Sequence, residues 1–445
     1  MRPEPSFLRH GLRAHARSFI NENTRARHRS RWFARRSLAS SVVVAVLLAG
    51  CASANEATGN WVGTVSTDGD VTTVVNESGS VWGGNASLVE ELSIGVESGP
   101  PEYMFGEISW VHADDAGIWV GDQQTPAVRQ FAADGSHVRD IGGEGEGPGE
   151  YQRPEQIAIA PDGRIFVVDG GRRINVYDTD GEVLETLPLG RGVVRGGYIP
   201  LVIDDAGRPW LVYRDYDLMD PVARQRPTYV LRALTVEGPT GEPRRVPEGE
   251  VAGAGNPLLH PAWHWNVTPS GDLLVGDSGA YRFERRAADG GIMIVERYWE
   301  PVPVSEEETA YLAHLDTLRE TSRLASNPIP ATKPAFLALL GASTGETWLL
   351  RQGPGFRVPG CNDRPGSIEE ILEADVCWQD ALFFDGFDEE GKYLGSVDVP
   401  DEMREQIRMW ARTPHFAGEH LTAVAIDKAG TIMVKRYRIV PSGEP

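Results

Sequence analysis

From Pro154 to Leu187 the chain alternates short apolar runs with turn residues in a regular order. Ile157-Ala158-Ile159 meets the turn Pro161-Asp162-Gly163, and Ile165-Phe166-Val167-Val168 ends at Asp169. Ile174-Asn175-Val176-Tyr177 then leads to Asp180-Gly181 and a last run, Glu182–Leu187. Runs this short, punctuated by Gly and Asp, read as strands rather than helices. Gly in the turns accepts φ > 0 at no steric cost. The block therefore predicts four short strands in one small sheet, a unit that must stack on copies of itself to bury its faces.

The turn before the second strand supplies the count. It appears as Asp115-Ala116-Gly117, Asp162-Gly163, Asp205-Ala206-Gly207, Ser270-Gly271, Thr344-Gly345 and Ala429-Gly430, each followed by an apolar strand pattern. Six such turns predict an all-β, six-bladed β-propeller. The last turn leaves two strands before the chain stops, around Ala423–Ile426 and Ile432–Tyr437. Thr72–Gly79 resembles Ile174–Gly181, and Ser80-Val81-Trp82 resembles Glu182-Val183-Leu184. Thr72–Trp82 is therefore expected to complete the C-terminal blade and shut the ring, which leaves only short, protected edges.

The stretch Gly142–Tyr151, then Pro154, then the Asp162-Gly163 blade resembles the six-bladed NHL-type (TolB-like) β-propellers of bacterial lipoproteins. The resemblance covers Trp82 to Leu187 well and rests on the turns alone in later blades. It implies a propeller fold and a binding role, and no single activity. The Gly142–Gly149 segment has no Lys and reads as a flexible inter-blade loop, not a phosphate cradle.

Ahead of the repeats, a short apolar run (Ser41–Gly50) follows basic residues, as in a signal peptide, and is too short to span a membrane as a stable helix. Leu48-Ala49-Gly50-Cys51 resembles the bacterial lipobox, which implies acylation of Cys51 and cleavage before it. Ala52 in place of Asp is the family's outer-membrane choice. The expected organisation is a lipoprotein signal peptide over 1–50, a Gly/Ser/Thr/Asn-rich tether over 51–70 and the propeller over 71–445. The chain carries −21, and residues 1–50 hold ten Arg against two Glu, leaving −29 on the remainder. That acidity argues against nucleic acid, whose phosphates need Lys and Arg, and against anionic headgroups. A monomer in the cell envelope, held at the outer membrane by its lipid, is expected.

Cys361 and Cys377 have no His between them, and in an oxidising envelope they read as a disulfide rather than a zinc site. They lie in a Pro/Gly-rich insertion, Gln352–Asp380, with a short acidic helix at Ser367–Ala374 and Trp378. Loops on a rigid scaffold carry recognition, so this insertion is the expected recognition element. Tyr213–Thr228 reads as a solvated loop. Ser305-Glu306-Glu307-Glu308 reads as a capping box opening a helix over Ser305–Leu324, and a second helix is expected over Asp401–Ala411, with Met403, Ile407 and Trp410 on one side.

No His-Glu-x-x-His or Walker-type motif occurs. His260, Trp263, His264 and Trp265 cluster before blade four and, with Trp378, are the candidate ligand-binding side chains. No catalytic residue, metal site or cofactor is expected. Function is read as a non-enzymatic binding or scaffolding module for a protein, peptide or glycan. The alternative is a metal-dependent propeller hydrolase or lyase of the gluconolactonase type, with Asp122, Asp169 and Asp277 around the channel; these are better read as turn residues that accept backbone N–H groups.

Overall fold

The protein is described from a computed structural model that covers residues 59–194, 199–215, 228–249, 259–321, 329–361, 377–408 and 414–442. Five blades are consecutive four-stranded antiparallel sheets. Blade one is Ile108–Asp114, Gly117–Asp122, Ala127–Phe131 and His137–Ile141; blade two is Pro154–Ile159, Ile165–Asp169, Arg173–Tyr177 and Val183–Pro188. Blade three is Val202–Ile203, Pro209–Asp215, Thr228–Thr235 and Gly238–Arg245; blade four is Trp263–Val267, Leu273–Asp277, Arg282–Arg286 and Ile292–Arg297. Blade five is Ala338–Gly341, Thr347–Arg357, Trp378–Phe387 and Tyr393–Asp398.

Five of the six expected turns join the first and second strands of a blade, as read. In blade two the Gly163 N–H donates to Ala160 O at 2.8 Å while Ala160 N–H donates to Arg164 O at 2.9 Å, and Gly163 sits at φ 83°. The second strand, Ile165–Asp169, is buried along its whole length. A strand covered on both faces has no polar side to alternate with, which is why it reads as one unbroken apolar run.

Each seam between blades has its own apolar cluster. Trp119, Val128 and Ile141 of blade one meet Ile157, Val167 and Tyr177 of blade two. Similar clusters join blades two and three, three and four, four and five, and five and six. The sixth holds Val424, Val434 and Ile94 against Ile108, Val120 and Phe131, so blade six packs on blade one and the ring is closed.

Closure uses an N-terminal strand, but a different one from the one expected. We label the N-terminal strands β1 (Val62–Asp68), β2 (Val71–Ser78) and β3 (Ala86–Ile94). Blade six consists of His415–Ala417, His420–Ile426, Ile432–Pro441 and then β3, which pairs antiparallel with Ile432–Pro441. The Ala429-Gly430 turn therefore lies between the second and third strands of its blade rather than the first and second. β2 runs parallel to the outer strand of blade four, Val71 opposite Ile292 and Asn76 opposite Arg297, and β1 covers β2 as the edge. The chain then crosses to blade five, where Val81 and Trp82 N–H groups donate to Tyr393 and Leu394 carbonyls.

The N-terminal chain is thus a strap around the outside of blades four and five before it enters blade six. Buried Asn76 fastens it. Its Nδ2 donates to Glu296 O at 3.2 Å and Gly391 O at 3.1 Å, and its Oδ1 accepts from Trp61 Nε1 and Tyr393 N, both at 2.7 Å. The tether expected over 51–70 ends earlier than that, since Val62–Asp68 is β1. Cys51, with the lipobox and the rest of 1–58, lies outside the described residues.

Candidate functional site: the insertion face over blade five

In a four-stranded blade the first and third turns share one face of the ring, while the middle loop and the blade-to-blade connector share the other. The first face is built of tight turns such as Ala160–Arg164, Asp178–Glu182, Ala342–Glu346 and Asp388–Lys392. The opposite face carries the long segments. Among them are helix α1 (Glu306–Thr321), helix α2 (Asp401–Arg408) and the disulfide-bearing loop of blade five. The middle part of the blade-three loop, residues 216–227, and the Ser367–Ala374 helix expected in the insertion lie outside the described residues.

The Gly142–Gly149 connector lies on this face too, but blade two holds it in place. Arg173 donates to Glu146 O and Glu150 O, each at 2.8 Å, Asn175 Nδ2 donates to Glu150 O at 2.9 Å, and Tyr177 OH donates to Gly149 O at 3.0 Å. Asp122 and Asp169, both buried at the ends of second strands, act the same way. Asp122 accepts from Gly106 N and Glu107 N at 3.0 Å, and Asp169 from Gln152 N at 2.9 Å and Arg153 N at 2.8 Å. Asp277 accepts from Gly279 N at 2.8 Å. Asp122 and Asp169 hold incoming connectors and Asp277 its own turn, as expected of residues that accept backbone N–H groups. Among the described residues no three His, Cys, Asp or Glu side chains are grouped to hold a metal.

The sequence cluster before blade four is divided by strand alternation. Trp265 packs on Tyr229 of blade three with ring centroids 4.7 Å apart, and Trp263 Nε1 donates to Pro247 O at 3.1 Å. His264 faces the other way, with Nε2 3.1 Å from Ser278 Oγ and its ring 5.3 Å from Phe336. Burial lowers its pKa to about 4, against the pull of Asp277, so it is neutral at pH 7. His260 Nε2 is buried without a hydrogen-bond partner. Trp378 lies elsewhere, under α1. The five side chains do not converge on one ligand position.

What does converge is the cap over blade five. The second and third strands of this blade run 11 and 10 residues, against 5 each in blade two. Their register shifts between Gln352 and Gly355, where a bulge re-aims the hairpin. Beyond the bulge, Cys361 and Cys377 form the expected disulfide, with Cα atoms 5.2 Å apart. α1 lays Tyr311 and Leu315 on it beside Trp378, one turn apart on a single stripe. At its N-terminus Ser305 Oγ accepts the Glu308 N–H at 3.1 Å, one half of a capping box. The other half is replaced, because the Glu308 carboxylate turns 3.3 Å from buried Lys333. Burial raises the Glu308 pKa, with Lys333 opposing. α2 buries Met403 and Ile407 against blades five and six, and Arg404 lies over Phe356 at 5.1 Å.

Directly beneath, the seam between blades four and five holds a charged network that the sequence reading missed. Asp385 is fully buried and accepts from Tyr281 OH at 2.5 Å, Tyr393 OH at 3.4 Å and Ser396 Oγ. Arg351 Nε stands 2.7 Å from it and Arg297 4.0 Å, with the Arg297 guanidinium 3.8 Å over the Tyr393 ring. Burial, reinforced by Asp385, pushes both tyrosine pKa values up, to about 12 for Tyr393. Both phenols are neutral donors, and one carboxylate sits between two cations. Nearby on the insertion face Tyr298 is 71% exposed, and Phe356 is exposed as well.

The fold is a six-bladed β-propeller. The family model DUF5128, described as a 6-bladed beta-propeller, matches residues 100–191. No curated protein matches the chain. The chain is similar in structure to a member of the DUF4221 family from Bacteroides vulgatus, at 12% identity and a TM-score of 0.46, covering 80% of this chain and 99% of that one. It is similar to virginiamycin B lyase from Staphylococcus aureus at 10% identity and a TM-score of 0.35, covering 86% and 100%. A protein of unknown function from Bacteroides thetaiotaomicron aligns at 12% identity and a TM-score of 0.36, covering 85% and 98%.

Proposed function

We propose that this chain is a lipid-anchored, extracytoplasmic propeller that binds a protein, peptide or glycan through its insertion face, centred on the cap over blade five. One observation carries the reading: the helices, the disulfide and the lengthened strands gather on one face, while the other keeps minimal turns. A scaffold that only needed to fold would have no cause to load one face. The exposed Tyr298 and Phe356 add the amphipathic contact area that recognition surfaces favour. Asp122 and Asp169, two of the carboxylates a channel site would draw on, already accept backbone donors, which leaves the binding reading ahead of hydrolysis.

Two experiments test it. A photo-reactive residue at position 298 or 356 should capture a partner from the native envelope, while one at Ala133, on the tight-turn face, should not. Equal capture from both faces would sink the assignment. Replacing Cys51 with Ser should free the protein from membranes into the soluble fraction, because several acyl chains together anchor stably. Continued membrane association of that variant would remove the lipid anchor from the proposal.

A further inference from the structure

Lys333, Glu308 and Asp380 come from three separate segments and meet under the cap. Lys333 is fully buried, its Nζ touches a carboxylate oxygen of Asp380, and it stands 3.3 Å from Glu308 Oε1 and 3.3 Å from Gly353 O. Gln352 Nε2 donates to the second Asp380 oxygen at 2.5 Å, which fixes the carboxyl plane. Glu308 is 5% exposed, and its other oxygen, Oε2, is buried without a hydrogen-bond partner. That oxygen lies against the backbone of Gly355, where a Cβ would stand only 2.7 Å from it. A fully buried amine is thus held against a mostly buried carboxyl group, with a second carboxylate near the same nitrogen and one oxygen to spare. Positioning of this kind replaces the entropy of bringing reactants together, and a carboxylate in contact with the nitrogen can move its protons.

We propose that Lys333 and Asp380 join as an intramolecular isopeptide bond, with Glu308 relaying the protons. The Lys333 nitrogen adds to Cγ of Asp380, forming the C–N bond. One Asp380 C–O bond breaks and its oxygen departs as water. The two protons lost by the ammonium pass through the Glu308 carboxyl to that oxygen, and Glu308 ends in its starting state. An ammonium and a carboxylate become a neutral amide plus water, so charge balances and no oxidant or cofactor is consumed. The raised pKa of Glu308 suits a carboxyl that must pick up a proton. The bond would tie positions 47 residues apart and, with the Cys361–Cys377 disulfide inside that span, clamp the cap with two covalent links. It does not depend on what the cap binds.

Peptide mapping of the full-length protein, denatured and reduced, tests this directly. The expected product is a branched peptide joining the Lys333 and Asp380 segments, lighter than the two separate peptides by one water. Recovery of both as linear peptides at full mass from the wild-type protein would overturn the proposal whatever any variant does. Glu308→Gln should retain a cooperative melt and yield the linear peptides. A branched peptide at wild-type extent in that variant would overturn the relay role.

Discussion

Blade two and blade five are the same four-stranded sheet put to different uses. Blade two holds to the repeat: strands of 5 or 6 residues, tight turns, and seams of Ile, Val, Phe and Tyr. Blade five doubles the length of its middle strands, bends them at a bulge, and buries Asp385, Lys333 and Glu308. Apolar seams are tolerant, since any well-packed set of similar volume will serve. Buried charge is not, because each group must find its partner or cost several kcal/mol. Blade two is therefore specified by pattern and blade five by particular residues.

The comparison breaks most completely at the closure strand. Deleting β3 (Ala86–Ile94) removes the outer strand of blade six and the Ile94 contact of the last seam. The expected outcome is loss of the cooperative thermal transition by circular dichroism. Deleting β1 (Val62–Asp68), an exposed edge on blade four, should leave that transition in place. If both deletions melt alike, the division between strap and closure is wrong.

Next in size is the charge network of blade five. Asp385→Ala removes the buried carboxylate that Arg351 and Arg297 share and should cost about 3–5 kcal/mol in denaturant unfolding. The matched apolar change in blade two, Val167→Ala, removes two methyl groups and should cost less, roughly 1–3 kcal/mol. A smaller loss at Asp385 than at Val167 would mean that the network is solvated in solution.

Acid should also separate the two regions. His415 is half-buried in blade six, its ring 4.8 Å from His112, and burial, with His112 adding to it, lowers its pKa to about 3. His264, at the seam of blades four and five, is lowered to about 4 by its burial. Both folded values lie below the ordinary 6.5, so the unfolded chain takes up protons that the fold refuses. Stability is then present above pH about 6.5 and is lost as pH falls toward the folded values, at roughly 1.4 kcal/mol per pH unit for each imidazole. Blade two contains no His. Hydrogen exchange at pH 5 should quicken first in blades four to six, and His415→Phe should flatten the pH dependence. Uniform quickening around the ring would place the acid sensitivity elsewhere.

The scaffold was legible because burial on both faces leaves a one-letter signal: apolar runs between Gly turns. The strap was not. Thr72–Trp82 does look like half a blade, but an outer strand exposes one side and its pattern does not say which outer edge it joins. That choice rests on Asn76, three of whose four partners come from distant segments. The blade-five network was missed for a related reason. Tyr281, Arg297, Arg351, Asp385 and Tyr393 are brought together only by the seam. A signal was present in Leu350-Arg351 and Phe384-Asp385, where a charge interrupts a run otherwise buried on both faces. The Trp263–Trp265 cluster shows the opposite limit of a sequence pattern, since neighbours in a strand point apart.

The smallest effect on stability is the one that bears most on function. Tyr298 is 71% exposed on the insertion face, and Leu184 is 53% exposed on the outer strand of blade two. Tyr298→Ser and Leu184→Ser should each change stability by no more than about 0.5 kcal/mol, because neither side chain is packed. If the face over blade five is where a partner binds, the two should part company in capture experiments. Tyr298→Ser should lose partner recovery at least tenfold, a loss of about 1.4 kcal/mol or more in binding, while Leu184→Ser should recover the partner as the wild type does. Loss at Leu184 with retention at Tyr298 would move recognition from the loaded face to the outer rim, and would make blade two, not blade five, the working part of the ring.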